Sequence, residues 1–357
     1  MSRPTLARIN LEALRHNFRL AQSRAGQTRA MAVVKADGYG HGIADVGRAL
    51  ADEAGKYAVA CIEEARALRD AGLRQPVVLL QGVHEPGDLA ECRHQGFVPV
   101  LHGPEQLQWL AGDGQSGLSF WLKVNTGMNR LGFRPEALPG VVAELEPFRK
   151  GLLGFVTHFA CADDLDSTMT ERQTRCFADA VAPWPELARS VGNSAAHFRP
   201  GQPLYEWSRP GIMLYGASPL IGRTGPELGL RPVMTLEAPL IAERTVRAGE
   251  SIGYGANWVA DRETRMGMVA VGYGDGYPRH AGTDTPAAIN GRRIRLLGRV
   301  SMDMLAVDLS AAPEANVGDR VELWGETVSV DEVAACAGTI GYELLTGVTA
   351  RVPRVYR

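Results

Sequence analysis

The chain has 357 residues, 45% of them hydrophobic and 22% charged, with a formal net charge of −2. That balance excludes a disordered or fibrous protein, and it offers nucleic acid or an anionic membrane surface no electrostatic attraction. No apolar run reaches the length of a membrane span, and the first residues scatter charges where a signal peptide needs an apolar stretch. The expectation is a cytoplasmic protein without nucleic-acid or membrane partners, and its length makes two domains the natural prior.

Ahead of the first apolar run, Leu11, Leu14, Phe18 and Ala21 repeat at helical spacing behind Asn10, a residue suited to cap a helix. Short apolar runs then alternate with amphipathic stretches. The runs are Ala30–Ala36, Tyr57–Ile62, Pro76–Gly82, Phe97–His102, Ser119–Asn125, Leu152–Phe159, Ala188–Ser194 and Trp207–Tyr215. Helix-like segments lie between most of them: Glu63–Ala71, Pro104–Ala111, Pro135–Leu145 and Met169–Val181. Runs rich in Val, Ile and Leu without polar alternation read as parallel strands buried on both faces. Eight of them suggest a (β/α)8 TIM barrel, with an open doubly wound sheet as the alternative.

The last third reads differently. Leu236–Val246, Arg265–Val271, Arg293–Leu297, Met304–Leu309 and Arg320–Trp324 follow one another with turn signals between them and little helical pattern. Asn290-Gly291 is a strong hairpin cue. The expected division is a barrel over 1–230 and a mostly β domain over 231–357.

The five cysteines are odd in number and contain no C-x-x-C pair, so they read as reduced thiols. The histidines show no H-E-x-x-H spacing, and no metal site is expected. Among 38 basic residues only four are lysine: Lys35, Lys56, Lys123 and Lys150. A sequence that uses arginine for ordinary positive charge makes a lysine inside an apolar strand chemically interesting.

Barrel chemistry collects at the C-terminal ends of the strands, which here offer Lys35, Gln81, His102, Lys123, His158, Asn193-Ser194 and Arg209. Lys35 closes Met31-Ala32-Val33-Val34, where alternation sets Met31, Val33 and Lys35 on one face. An ammonium desolvated there yields the neutral amine that a Schiff base requires; the bland alternative is a lysine reaching out to solvent. Lys123 needs a partner or neutralisation. Catalysis is one answer, but structural use is the favoured reading, either an ion pair or, equally, carbamylation toward an arginine such as Arg130. Arg209 demands an acceptor, for which a salt bridge serves as well as a ligand. Asn193-Ser194 and Gly211-Ile212 stand where barrels tend to bind phosphate. Neither G-x-G-x-x-G nor G-x-x-x-x-G-K-[ST] occurs. A lysine, a phosphate cradle and no nucleotide loop together point to pyridoxal phosphate over NAD or ATP. Gly-Tyr-Gly occurs around Tyr39, Tyr254 and Tyr273; each tyrosine is either a turn plug or a phenol able to exchange protons.

These residues carry a resemblance. Ala32-Val33-Val34-Lys35-Ala36-Asp37-Gly38-Tyr39-Gly40-His41-Gly42 is similar to the cofactor-lysine signature of alanine racemases. The similarity continues through Lys123–Gly132, Arg209-Pro210-Gly211-Ile212, Gly253-Tyr254-Gly255-Ala256, Gly272–Tyr277, Val300–Met304 and Arg351-Val352-Pro353-Arg354. It implies a barrel plus a β domain, in a head-to-tail homodimer whose active sites combine one subunit's barrel with the other's β domain. Lys35 would carry pyridoxal 5'-phosphate as a Schiff base. Tyr39, Ser194, Gly211, Ile212 and Tyr342 would hold its phosphate, His158 would lie near its ring, and Arg209 would meet its pyridine nitrogen. Arg130 and the backbone of Met302 would engage the substrate carboxylate region, with Tyr273 nearby. Lys123 aligns with a position that can be carbamylated. Lys35 would act on the D-alanine face and the partner's Tyr254 on the L-alanine face, supplying or consuming D-alanine, a peptidoglycan precursor. The competing readings are an amino-acid decarboxylase of the same architecture, a broader-specificity racemase, a non-catalytic pyridoxal-phosphate carrier and a cofactor-free Schiff-base aldolase.

Overall fold

The structure, a computed structural model, describes residues 5–114 and 117–357. β1 (Leu6–Ile9) leads into the helix Leu11–Ala25, where the Asn10 Oδ1 accepts the Ala13 N–H at 3.0 Å. This helix buries Leu14, Phe18 and Ala21, the stripe that the spacing marks. Next come β2 (Arg29–Ala30), β3 (Ala32–Val33), β4 (Tyr57–Val59), β5 (Val77–Leu79), β6 (Phe97–Leu101), β7 (Phe120–Lys123), β8 (Leu152–Val156), β9 (Ala188–Ser190) and β10 (Trp207–Ser208). They form one parallel sheet in the order β2-β10-β9-β8-β7-β6-β5-β4-β3.

β2 and β3 are two halves of one segment, interrupted at Met31. The first half pairs with β10 and the second with β4, so the sheet closes on itself as an eight-membered barrel. Val77, Val78, Leu79, Phe97 and Val98 are all buried, as continuous apolar strands between a packed interior and a ring of helices must be. The Trp207–Tyr215 run is shorter as a strand than its composition suggests: β10 ends at Ser208, and Ile212–Tyr215 winds into a 3-10 turn.

The second unit contains β11 (Met234–Val246), β12 (Ser251–Ile252), β13 (Trp258–Val259), β14 (Thr264–Val269), β15 (Pro286–Ile289), β16 (Arg292–Leu297), β17 (Leu305–Asp308), β18 (Arg320–Trp324) and β19 (Arg354–Tyr356). Its main sheet runs β14-β17-β16-β15-β18-β11-β1-β19, with β14 also pairing β11, and β12 and β13 form a separate ribbon. Asn290 and Gly291 both take positive φ, 50° and 75°, which lets Ile289 pair with Arg292 across a two-residue turn.

β1 departs from the expected division. It lies antiparallel to β11 and parallel to β19, so the 1–230 segment contributes one strand to the β domain. Four residues whose partners are more than two hundred positions away leave no local signature. The helices Val330–Cys336 and Gly341–Gly347 also interrupt the β pattern. The second of them reaches over the barrel mouth.

Candidate active site

The C-terminal mouth of the barrel encloses a cavity of about 690 Å³. Lys35, Tyr39, Lys123 and Arg130 enter it from the first half of the barrel, and His158, Ser194, Arg209, Gly211 and Ile212 from the second. Tyr342 comes from the β-domain helix Gly341–Gly347. Gln81 and Asn193 also line it. His102 does not; its Nε2 meets the Gln81 carbonyl at 2.9 Å instead.

Lys35 does not end a strand. β3 stops at Val33, and Lys35 opens a tight turn in which Ala36, Asp37, Gly38 and Tyr39 all take left-handed φ between 52° and 62°. Non-glycine residues there cost on the order of 1 kcal/mol each, so the surroundings must impose this geometry. Its result is to place both the Lys35 amine and the Tyr39 phenol in one cavity. Burial lowers the titration of Lys35, the nearby Arg130 cation lowers it further, and Glu64 opposes both. The direction favours a neutral, nucleophilic amine.

Arg209 is 6% exposed. Its guanidinium donates to the Ser190 Oγ at 2.5 Å, the Thr157 carbonyl at 2.6 Å and the Val191 carbonyl at 3.3 Å. Burial brings its titration down to about 10, so it stays a cation at neutral pH. It also faces the His158 Nδ1 at 3.3 Å. Since a guanidinium can only donate, that ring nitrogen accepts and the imidazole proton sits on Nε2. Burial first, then the Arg209 charge, push the His158 titration well below its ordinary value and keep the ring neutral.

Of the two structural readings open for Lys123, the ion pair finds no partner among the described residues. Burial comes first among the causes that bring its titration to about 8, and the charges that add to it are all cations: Arg209, Arg130 and Lys35. The amine is held between positive groups with no compensating carboxylate recorded among the described residues.

On the other side of the cavity the Ser194 Oγ accepts the backbone N–H of Gly211 at 2.8 Å and of Met213 at 3.4 Å. A hydroxyl that accepts twice keeps its proton for a third partner. A Cβ at Gly211 would lie 2.4 Å from the Tyr39 hydroxyl, so the missing side chain keeps this cradle open. The Tyr39 ring stacks on Tyr215 at 4.6 Å and lies 6.2 Å from Tyr342. Burial raises both Tyr39 and Tyr342, which leaves neutral phenols able to donate to an anion. Hydroxyls at one end, a lysine amine, and a neutral imidazole beside a cation fit a phosphate-bearing aromatic aldehyde such as pyridoxal phosphate.

Tyr254, Tyr273 and Met302 stand elsewhere. Tyr254 lies in the turn of the β12–β13 ribbon, and the Tyr273 and Gly274 N–H groups bond the carbonyls of Ser301 and Met302. None of the three lines the cavity of its own chain. Their exposures are 70%, 38% and 53%. The lining groups not singled out by sequence include Glu343, beside Tyr342, Thr346 on the same helix, and Ile340, 59% exposed at the rim. Glu64 was missed as well, because an acidic residue in the first turn of a helix is common. Among the described residues no group of three His, Cys, Asp or Glu side chains could hold a metal ion, and no helix is long and apolar enough to cross a membrane.

Comparison with known proteins gives the same picture over nearly the whole chain. Residues 9–219 match the alanine racemase N-terminal domain and residues 233–356 the C-terminal domain. The alanine racemase of Marinobacter nauticus is 72% identical over 100% of both chains. The biosynthetic alanine racemase of Pseudomonas aeruginosa has a crystal structure that superposes with a TM-score of 0.96 at 48% identity, covering 99% of each chain. The Bartonella henselae alanine racemase, crystallised with covalently bound pyridoxal phosphate, superposes at 0.88 with 26% identity, again over 99% of each chain. By sequence over its full length, and by a fold that closes a barrel beneath a β domain, this chain belongs to the alanine racemase family.

Proposed function

We propose that the chain interconverts L- and D-alanine with pyridoxal phosphate held on Lys35, and that each working site takes Tyr254 from a second copy of the chain. The barrel-bearing unit is 1–230 and the β domain 231–357, apart from β1. The observation that carries this reading is the cavity itself, where the partly buried Lys35 shares one lining with Arg209, His158 and the cradle of Ser194, Tyr39 and Gly211. The five cysteines are free thiols, which supports a cytoplasmic location.

When bound, pyridoxal phosphate supplies an electron sink for the charge left at the substrate's Cα. Tyr39, Ser194, Gly211, Ile212 and Tyr342 would hold its phosphate, and Arg209 would meet the ring nitrogen. An arginine there cannot readily give up a proton to the ring, so the sink is weaker, which disfavours side reactions that need a long-lived carbanion. An amino-acid decarboxylase would need an acidic partner at this position. Arg130, Met302 and Tyr273 would surround the substrate carboxylate. Racemisation takes a proton from one face of Cα and returns one to the other, so it needs two bases on opposite sides. The neutral Lys35 amine serves the D-alanine face, and the Tyr254 phenol of the second copy serves the L-alanine face.

Lys123 supports the same site. An amine titrating near 8 among cations adds carbon dioxide readily, releasing a proton and becoming a carbamate. The new anion would satisfy Arg130 or Arg209. The direct test is to record the visible spectrum of the purified protein and follow optical activity with each alanine enantiomer. Absorbance from a covalently held cofactor and racemisation from both directions are expected. A colourless protein that leaves both enantiomers untouched with added cofactor would refute the reading.

A further inference from the structure

We propose that Glu64 is a positioning residue for Lys35, acting through the left-handed turn that begins at Ala36. The inference rests on Lys35 being the working amine. Glu64 stands in the first turn of the helix Ile62–Asp70, just beyond β4. Its Oε1 accepts the Ala36 N–H at 2.6 Å, and its Oε2 accepts the Ala60 N–H at 2.8 Å. One carboxylate therefore ties the segment after β3 to the segment after β4, where both strands have run out.

The Ala36 N–H lies in the peptide plane that joins residues 35 and 36. Fixing that plane fixes ψ of Lys35, and with it the direction in which the side chain leaves the backbone. Other ties hold the far end of the turn. The Asp37 Oδ1 accepts the Ile43 N–H at 2.8 Å, and the His41 Nδ1 lies 3.1 Å from the Gly38 carbonyl and 2.8 Å from that of Tyr39. The Arg354 Nε donates to the Gly40 carbonyl at 3.0 Å. Glu64 grips the near end, at the residue covalently attached to Lys35. A charge-assisted bond to a backbone N–H is among the stronger hydrogen bonds available for holding an unfavourable φ.

Glu64 has a second effect, through charge. The charged and titratable groups around Lys35 are Glu64 on its helix, Lys123 and Arg130 at and beyond β7, His158 after β8, Arg209 after β10, Tyr39 on the turn, and Tyr342 and Glu343 on the helix Gly341–Gly347. Burial and Arg130 lower the Lys35 titration, and Glu64 raises it. The same carboxylate that aims the amine thus limits how early it loses its proton.

The test uses the full chain freed of cofactor. The pH dependence of Lys35 labelling by trinitrobenzenesulfonate, mapped to its peptide, reads the amine directly, and visible absorbance reads pyridoxal phosphate uptake. Glu64→Gln keeps the shape but loses the charge and one acceptor oxygen. Its labelling midpoint should move to lower pH by roughly one unit, and cofactor affinity should weaken about tenfold. Glu64→Asp keeps the charge on a stem too short to span both N–H groups. It should hold the midpoint near that of the parent while weakening uptake, and it carries the test if the Gln variant does not fold. A generally loosened mouth would not separate midpoint from uptake in this way. If both variants match the parent in midpoint and uptake, Glu64 has no such role. If the parent chain itself takes up no cofactor on Lys35, the reading of the site fails, a separate outcome.

Discussion

At the barrel mouth Arg209 is 6% exposed and Ser194 3%, whereas Tyr254 on the β domain is 70% exposed and Met302 53%. The mouth is finished within one chain: Arg209 has protein acceptors for its donors, Ser194 is fixed by two backbone N–H groups, and Lys35 is aimed by a turn that its surroundings enforce. The β-domain groups have stable backbones, with Tyr273 and Gly274 bonded to the 301–302 segment, yet their side chains face water. Exposed large apolar and aromatic groups such as Tyr254 and Met302 are consistent with the second copy that the proposal places over them. A phenol that exchanges a proton with Cα works only once water is excluded around it. The contrast is between a mouth completed within one chain and exposed β-domain groups that the proposal assigns to the site of a second copy.

The largest effect should come from the finished half. Lys35→Ala removes the amine, and racemisation should fall by about 10⁴-fold or more, with loss of the absorbance of a covalently held cofactor. Activity within tenfold of the parent would break the assignment of the mouth. Tyr254→Phe attacks the other half. Turnover should fall by roughly 10²- to 10³-fold while cofactor uptake and its spectrum stay unchanged. A spectrum altered as much as by the loss of Lys35 would mean that Tyr254 belongs to the cofactor site and not to a separate face.

A smaller effect sharpens the electrostatic side of the comparison. The unfolded chain keeps the Lys123 proton up to about 10.5, while the folded chain releases it from about 8. Between those values the unfolded state binds more protons, so the contribution of Lys123 to stability rises with pH. Below pH 8 its full cost is present. In carbon-dioxide-free buffer, Lys123→Met should stabilise the cofactor-free protein most below pH 8, by about 3 kcal/mol for the charge, and progressively less toward pH 10. Urea unfolding at several pH values measures it. A difference between the two proteins that does not vary with pH would show Lys123 to be paired.

The barrel was legible because eight runs of Val, Ile and Leu are buried on both faces, a pattern that needs no distant information. β1 was not legible, since Leu6–Ile9 pairs with β11 and β19 and carries only two inward positions. Tyr39 and Lys35 were legible as chemistry but not as geometry. Gly38, Gly40 and Gly42 announce a turn, yet nothing in Ala36 or Asp37 signals left-handed backbone, which is imposed by Glu64 and by the groups around His41. Arg209 was legible as a cation in need of acceptors. Its acceptors are carbonyls and a hydroxyl from neighbouring strands, and no spacing rule reveals them. The roles of Tyr254 and Met302 came from resemblance alone, because a single chain leaves them in solvent.

The shared site is tested most directly by mixing two damaged chains. Differently tagged Lys35→Ala and Tyr254→Phe proteins are co-refolded, and the hybrid is isolated through both tags. In a hybrid dimer one site carries both substitutions and the other carries neither, so the isolated hybrid should regain about half of the parent's activity, and an unseparated equal mixture about a quarter. Isolated hybrids that stay as inactive as the two variants alone would contradict the account, because Lys35 and Tyr254 would then have to work within one chain.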